Sequence, residues 1–327
     1  MNPESITRRV TAALGAIWIA MAAVPSAAQN APWKPERPVA LVVPYSAGGG
    51  TDANARAVAQ QLSRVWGQPV TVENMPGADG LIGTRRVIEA RPDGYTLLMQ
   101  VQSIVLTKYM PGVQGVDPLE RLEPITSVAQ SPGMAVISAK VPARTLAEFI
   151  HYCKVSVKPC SLASGETTSR LMARQLAEEA GLPNLIVANY RGNSAFINDM
   201  ISNAVDMSFM GISASLPYHK AGTLRAIATL DVKRATALPD VPTSAEAGFP
   251  QFRIVTWFGL FAPKGTPPAV IQGIVAAVRE AVKEPAVKSA FAAAGAEPVA
   301  NTTAEFAAQV RAESDRFGAL AKRYPIE

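Results

Sequence analysis

Two residue types are nearly missing from this 327-residue chain, which holds only two cysteines and two histidines. His151 and His219 form no ligand-spaced set with each other or with the cysteines, so no metal site is expected. Serine hydrolysis is equally unsupported. No Gly-x-Ser-x-Gly elbow occurs and neither histidine lies near a plausible one, so no enzyme activity is expected and an exported hydrolase is the weakest alternative. Aromatic residues are scarce, at 6%. Lysine and arginine are scattered in runs no longer than two, so the net charge of +5 does not make a nucleic-acid surface. A mild positive field of this kind favours small anions instead. Beyond the N-terminus no apolar run approaches the length of a membrane span.

What is present begins with a leader. Arg8 and Arg9 precede an apolar run from Val10 to Val24, and Ser26-Ala27-Ala28 offers the small residues that a signal peptidase reads. Residues 1–28 are therefore expected to be a cleaved signal peptide, and the mature protein to lie in the periplasm of a Gram-negative bacterium. In that oxidising compartment Cys153 and Cys160 can close a small loop as a disulfide, the alternative being two buried free thiols.

The stretch from Val39 to Arg56 reads as a buried strand, a turn with Gly48, Gly49 and Gly50, and a helix starting at Thr51 or Asp52. Glycines let backbone N–H groups converge, and the first N–H groups of a helix have no internal partner, so this turn is an anion cradle. Asp52, four residues before Arg56, suits the helix dipole and an ion pair that stiffens the loop. A nucleotide is disfavoured because no Lys-Ser or Lys-Thr follows the glycines, and no cofactor is expected. Val70–Asn74 and Tyr95–Met99 read as further strands, with a glycine-punctuated turn from Met75 to Gly83 leading into a helix between them. This β-α-β-α-β alternation predicts a mostly parallel sheet flanked by helices, with ligands at the carboxyl ends of strands, where Tyr45 to Asp52 and Gln100 to Ser103 fall.

A Pro132-Gly133 break, placed between the strands Ser127–Gln130 and Met134–Ser138, is read as a crossover to a second α/β domain. There the theme recurs: the strand Cys160–Ala163, the polar turn Ser164-Gly165-Glu166-Thr167-Thr168, and a helix from Ser169 to Ala180 make a second cradle. The strand Leu185–Tyr190 ends in Arg191-Gly192. The run Thr256–Ala262 returns the chain to the first domain, followed by three helices with apolar stripes. The expected domains are 29–130 with 254–327, and 131–253.

Ordered motifs along the mature chain resemble a known family. They are Arg37-Pro38 through Gly48-Gly49-Gly50-Thr51-Asp52; Glu73-Asn74 with Pro76-Gly77 and Ile82-Gly83; Pro92-Asp93-Gly94-Tyr95-Thr96-Leu97-Leu98; Tyr190-Arg191-Gly192; Leu238-Pro239-Asp240-Val241-Pro242-Thr243 with Glu246-Ala247-Gly248; Trp257-Phe258-Gly259; and Gly295-Ala296-Glu297-Pro298. This set is similar to the Bug-type (TctC-like) extracytoplasmic receptors of tripartite tricarboxylate transporters. The resemblance implies a two-domain, Venus-flytrap periplasmic-binding-protein fold of class α/β. It also implies a monomer that binds a small organic carboxylate in the interdomain cleft and delivers it to TctA/TctB-type membrane subunits. A periplasmic sensor feeding a two-component signalling kinase is the alternative that the chain alone does not separate.

By the same resemblance the ligand residues are Tyr45, Ser46, Ala47, Gly48, Gly49, Thr51 and Asp52 on one jaw, with Gln102 and Ser103 beside them. Ser164, Gly165, Thr167, Thr168, Tyr190, Arg191, Gly192 and Met210 belong to the other. Two departures bear on the ligand. Glu166 and Arg170 stand where relatives carry a glycine and a histidine, and Glu166 is expected to point outward, since facing the cleft it would repel a dicarboxylate. Met210-Gly211 follows Phe209 where amino-acid receptors place an acid or asparagine, so a non-amine organic acid is favoured.

Overall fold

The computed structural model describes residues 32–110, 113, 117–190 and 193–326. The expected signal peptide lies outside the described residues. The elements in chain order are β1 (Val39–Val43), α1 (Gly50–Trp66), β2 (Val70–Asn74), α2 (Leu81–Ile88), β3 (Thr96–Val101), β4 (Leu122–Ser138), α3 (Leu146–Val155), β5 (Ser161–Ser164), α4 (Thr167–Glu179) and β6 (Ile186–Asn189). They continue with α5 (Ile197–Ser202), β7 (Met207–Gly211), α6 (Ile212–Lys220), β8 (Leu224–Thr229), β9 (Val255–Pro263), α7 (Pro268–Ala281), α8 (Pro285–Ala293), β10 (Glu297–Pro298) and α9 (Thr303–Arg323).

The strands form one continuous path, β2-β1-β3-β9-β4-β7-β5-β6, with β8 and β10 also paired to β4. β1, β2 and β3 run parallel, as do β5, β6 and β7, whereas β4 and β9 are antiparallel to their neighbours. β1 along its whole length, and β3 at Leu97, Leu98 and Met99, are apolar because helices cover both faces. On one face Leu41, Val43, Leu97 and Met99 meet α1 and α7 through Ala55, Leu62, Ile274 and Val278. On the other, Val42 and Leu98 pack with Val87 of α2 and with Phe306, Val310 and Phe317 of α9. The second lobe repeats this sandwich. Leu162, Met207 and Phe209 are covered by Phe149 of α3 and Leu176 of α4, and the opposite face by Phe196, Met200 and Ile212.

The expected break at Pro132-Gly133 is instead the middle of a single 17-residue strand. β4 pairs with β9 as far as Pro132↔Val255, then with β7 from Gly133↔Gly211 onward. The strand changes partners at Pro132, which has no N–H to offer, so the ladder loses no donor where this proline sits. Both lobes thus share β4, and the return segment meets it there, with the Gly133 N–H donating to the Ile254 carbonyl at 2.8 Å.

Cys153 and Cys160 are joined by a disulfide that ties the end of α3 to the start of β5. Replacing both by serine is expected to cost about 2 kcal/mol through the freed unfolded chain. Urea titration of the double variant measures this, and a midpoint equal to that of the native protein contradicts it.

Candidate functional site

β1, β2 and β3 all end on the same edge of the first sheet, and the loop after β1 runs along it. Pro44 is buried and Tyr45 half-buried, while Ser46, Ala47, Gly48, Gly49 and Gly50 are exposed. Gly48 has φ +84°, a conformation that a side chain resists. Gly49 is the N-cap of α1 and has no side-chain cap, so the first N–H groups of the helix face outward without a partner within it.

Asp52 is placed as the strut of this loop. It is 3% exposed, and its carboxylate accepts from the Gly48 N–H at 2.9 Å, Arg56 Nε at 3.0 Å and Asn74 Nδ2 at 3.0 Å. Asn74 also donates to the Tyr45 carbonyl at 3.1 Å, and Arg56 Nη2 to Asn74 Oδ1 at 2.9 Å. Burial pushes the Asp52 carboxyl up, but Arg56, the Gly48 N–H and Asn74 outweigh it and hold the group below its ordinary value. Asp52→Asn is expected to lower stability by about 1–3 kcal/mol, because one amide cannot accept all three donors. Thermal unfolding with circular dichroism tests this, and an unchanged midpoint removes the strut role.

Tyr45 is pinned to the wall behind the loop. Its hydroxyl donates to Gln100 Oε1 at 2.6 Å, leaving Ser103 Oγ, 3.0 Å away, to donate to the phenol oxygen. Gln100 Nε2 continues the chain to Thr84 Oγ1 at 3.2 Å, and Thr84 to the Gly80 carbonyl at 2.8 Å. Burial, followed by the charges of Asp79 and Glu166, raises the phenol further, so Tyr45 is a neutral donor. Gln102, 3% exposed, donates through Nε2 to Thr256 Oγ1 at 3.0 Å.

The sequence reading gave Asp79 no role. It sits in a turn where Gly77, Ala78, Asp79 and Gly80 all have positive φ, at 130°, 47°, 50° and 89°. Two non-glycine residues in that region cost about 1–2 kcal/mol each, a strain that marks sites more often than ordinary turns. Gly80 brings the turn against the wall, since a Cβ there would lie 3.4 Å from the Tyr45 hydroxyl. The only available signal was the glycine-punctuated run from Met75 to Gly83.

The second cradle is held by hydroxyls. Ser164, 2% exposed, donates to the Glu166 carbonyl at 3.0 Å and lies 3.0 Å from Ser169 Oγ, which itself donates to that carbonyl at 2.9 Å. Glu166 is the extended N-cap of α4 and caps nothing with its side chain. Gly165 is half-buried and Thr167 buried. Thr168 is 1% exposed, and its hydroxyl oxygen has no hydrogen-bond partner.

Glu166 does not point away from the cleft, as the sequence reading expected. Glu166 is exposed, but it lies within electrostatic reach of Asp79 and Tyr45 across the cleft, and desolvation followed by the Asp79 charge pushes its carboxyl up to about 7. The extended N-cap backbone sets that direction: the residue precedes the helix and is not part of its outer face. Asp79 is exposed in its turn but partly desolvated, which raises its carboxyl, and Arg170 of the second lobe pulls it back down. Asp79, Glu166 and Tyr45 therefore share one electrostatic space with Arg170 between the lobes.

Other expected residues stand further back. The Tyr190 hydroxyl donates to Asp199 Oδ2 at 2.7 Å and its ring meets Phe196 edge-on, at 5.5 Å between centroids. Met210 is 2% exposed in the apolar cluster with Met134 and Phe196 and contributes packing. Arg191 and Gly192 lie outside the described residues. Among the described residues no group of three or more His, Cys, Asp or Glu side chains is arranged to hold a metal ion, and no helix is long and apolar enough to cross a membrane.

Comparison with known proteins follows the same lines. A family described as "Tripartite tricarboxylate transporter family receptor" matches residues 54–325. Protein BugT of Bordetella pertussis is 34% identical over 320 residues, covering 96% of this chain and 97% of that one. Among solved structures, the periplasmic binding protein BugD is 31% identical with TM-score 0.74, covering 90% of this chain and 99% of that one. The Rhodopseudomonas palustris protein Rpa4515, solved with adipate, is 28% identical with TM-score 0.77, covering 88% and 97%.

Proposed function

We propose that this chain, which belongs to the tripartite tricarboxylate transporter receptor family, captures a small organic carboxylate between its lobes in the periplasm and hands it to the transporter's membrane subunits. The observation that carries this reading is the uncapped start of α1 behind three exposed glycines, with a second helix start at Glu166–Thr168 on the other lobe. A carboxylate seated on such N–H groups gains charge-assisted bonds of about 1.5–3 kcal/mol each, so a few of them give micromolar affinity without a salt bridge. Thr168 Oγ1, buried and unpartnered, supplies a further donor from the second lobe. The bodies that close on the ligand are residues 29–130 with 254–327 and residues 131–253.

The opposite wall shapes the choice of acid. Asp79 and Glu166 oppose a second carboxylate on the ligand, and Arg170 offsets only one of them. An acid with one carboxylate and an uncharged far end suits this cleft better than a short dicarboxylate. The buried position of Met210 means that its lack of charge does not decide against an ammonium; Asp79 and Glu166 decide that question. The non-amine acid remains the favoured ligand, because the Arg170 guanidinium stands beside Asp79 and offsets its pull on an ammonium. A thermal-shift series of mono- and dicarboxylates tests the assignment. At a hundred times its dissociation constant the ligand stabilises by about 2.7 kcal/mol, and no shift with any small acid overturns the receptor reading.

A further inference from the structure

The helix that opens the second cradle is fastened to the other lobe at its far end. α4 begins at Thr167, and Glu178 lies about three turns further on, about 17 Å along the axis, too far to touch a small acid on the first turn. There the Glu178 carboxylate accepts from both Arg323 Nη2 and the Tyr324 hydroxyl, at the end of α9 in the first lobe. One turn earlier in α4, Arg174 Nη1 donates to the Pro325 carbonyl at 3.2 Å. Leu171, nearer the cradle, is 1% exposed in the apolar cluster of Phe306 and Phe317, whose other buried members all belong to the first lobe. Arg316 of α9 adds contacts close to the crossover, donating to Met172 Sδ at 3.6 Å, to the Gln251 carbonyl at 3.2 Å and to the Arg253 carbonyl.

We propose that Glu178 is a positioning residue for the ligand, forming with Arg323, Tyr324 and Arg174 a latch that holds α4 against the first lobe. This role rests on the closing of the two lobes over a carboxylate. The side chains of Arg323 and Glu178 stay 60% and 47% exposed, so their bond belongs to the core of neither lobe. A pair this exposed contributes little to folding. Its effect is on position. α4 is hydrogen-bonded along its length, so its last turn carries the first turn with it, and holding Glu178 holds the cradle at Glu166–Thr168 in place. Parting α4 from α9 would also return Leu171 to water, which disfavours the open arrangement further. The latch therefore raises the closed fraction of the ligand-free protein, and apparent affinity scales with that fraction whichever acid is bound.

Small-angle X-ray scattering of the ligand-free mature chain, with calorimetric titration of hexanoate and adipate, tests the latch. Glu178→Ala and Tyr324→Phe are both expected to enlarge the radius of gyration of the ligand-free protein. In Glu178→Ala the affinities for the two acids are expected to fall by the same factor, about fivefold, because the closed fraction falls and the ligand contacts do not change. Tyr324→Phe alters no charge and should weaken both acids equally and less. A radius equal to that of the wild type in both variants, or unequal losses for the two acids, overturns the latch. A wild type that binds neither acid would count against the carboxylate reading, and the scattering alone would then decide the latch.

Discussion

Gly50→Ala is expected to lose at least about 100-fold in carboxylate affinity while unfolding at the same temperature as the native protein, or slightly above it. The loss corresponds to about 2.8 kcal/mol, two charge-assisted N–H bonds at the low end of their range. The reason is direction. Gly50 is the first residue of α1, and a Cβ on a helix tilts toward the N-terminus, into the space where the carboxylate would sit. Nothing in the folded protein lies within 4 Å of that Cβ, so the substitution creates no clash. Alanine is also the better helix former, by about 1 kcal/mol in a helix interior and less at its first residue. Gly49→Ala should behave similarly, since its Cβ meets only the Ser46 carbonyl at an ordinary 3.6 Å. Gly48→Ala is the contrast: with φ +84° it should lose about 1–2 kcal/mol of stability. Titration calorimetry alongside thermal unfolding separates the three. Equal losses of stability and binding at Gly50 would return the loop to a connecting role.

Glu166→Gln should change which acids bind. At pH 8 the wild-type Glu166 carboxyl, pushed up to about 7, is mostly charged and opposes the far carboxylate of a dicarboxylate such as adipate. At about 6 Å and an effective dielectric of about 40 the repulsion is about 1.4 kcal/mol, so the variant should bind the dicarboxylate about tenfold tighter. The sign with pH follows. Lowering the pH through 7 protonates Glu166, so the wild-type affinity for a dicarboxylate rises relative to that for a monocarboxylate, and in Glu166→Gln that ratio stays flat. Desolvation raises the Asp79 carboxyl as well, and Arg170 pulls it back down. A ratio independent of both pH and the substitution would place Glu166 outside the ligand's reach.

The alternation of apolar runs and glycine turns was enough to read the parallel strands and the loop at Gly48–Gly50, because β1 and β3 are covered on both faces and show as short apolar runs, Val39–Val43 and Leu97–Met99. β4 was not legible as one strand. Pro132 and Gly133 carry the local chemistry of a break, and only the change of partner from β9 to β7 makes a proline harmless there. At the site, Asp52 and Arg56 were read as a pair from their spacing, but Asn74, which joins them, is 22 residues from Asp52 and no local pattern links the two. Asp79 and the inward Glu166 were missed for one physical reason. Their importance comes from two lobes facing each other, and neither spacing nor periodicity encodes what lies across a cleft.

Native mass spectrometry of the protein purified gently from periplasm tests the central claim most directly. The wild type is expected to carry one small organic acid that is lost on denaturation, and Gly50→Ala to appear at its bare mass. A bare wild-type mass, with no small carboxylate raising its melting temperature, would contradict the account.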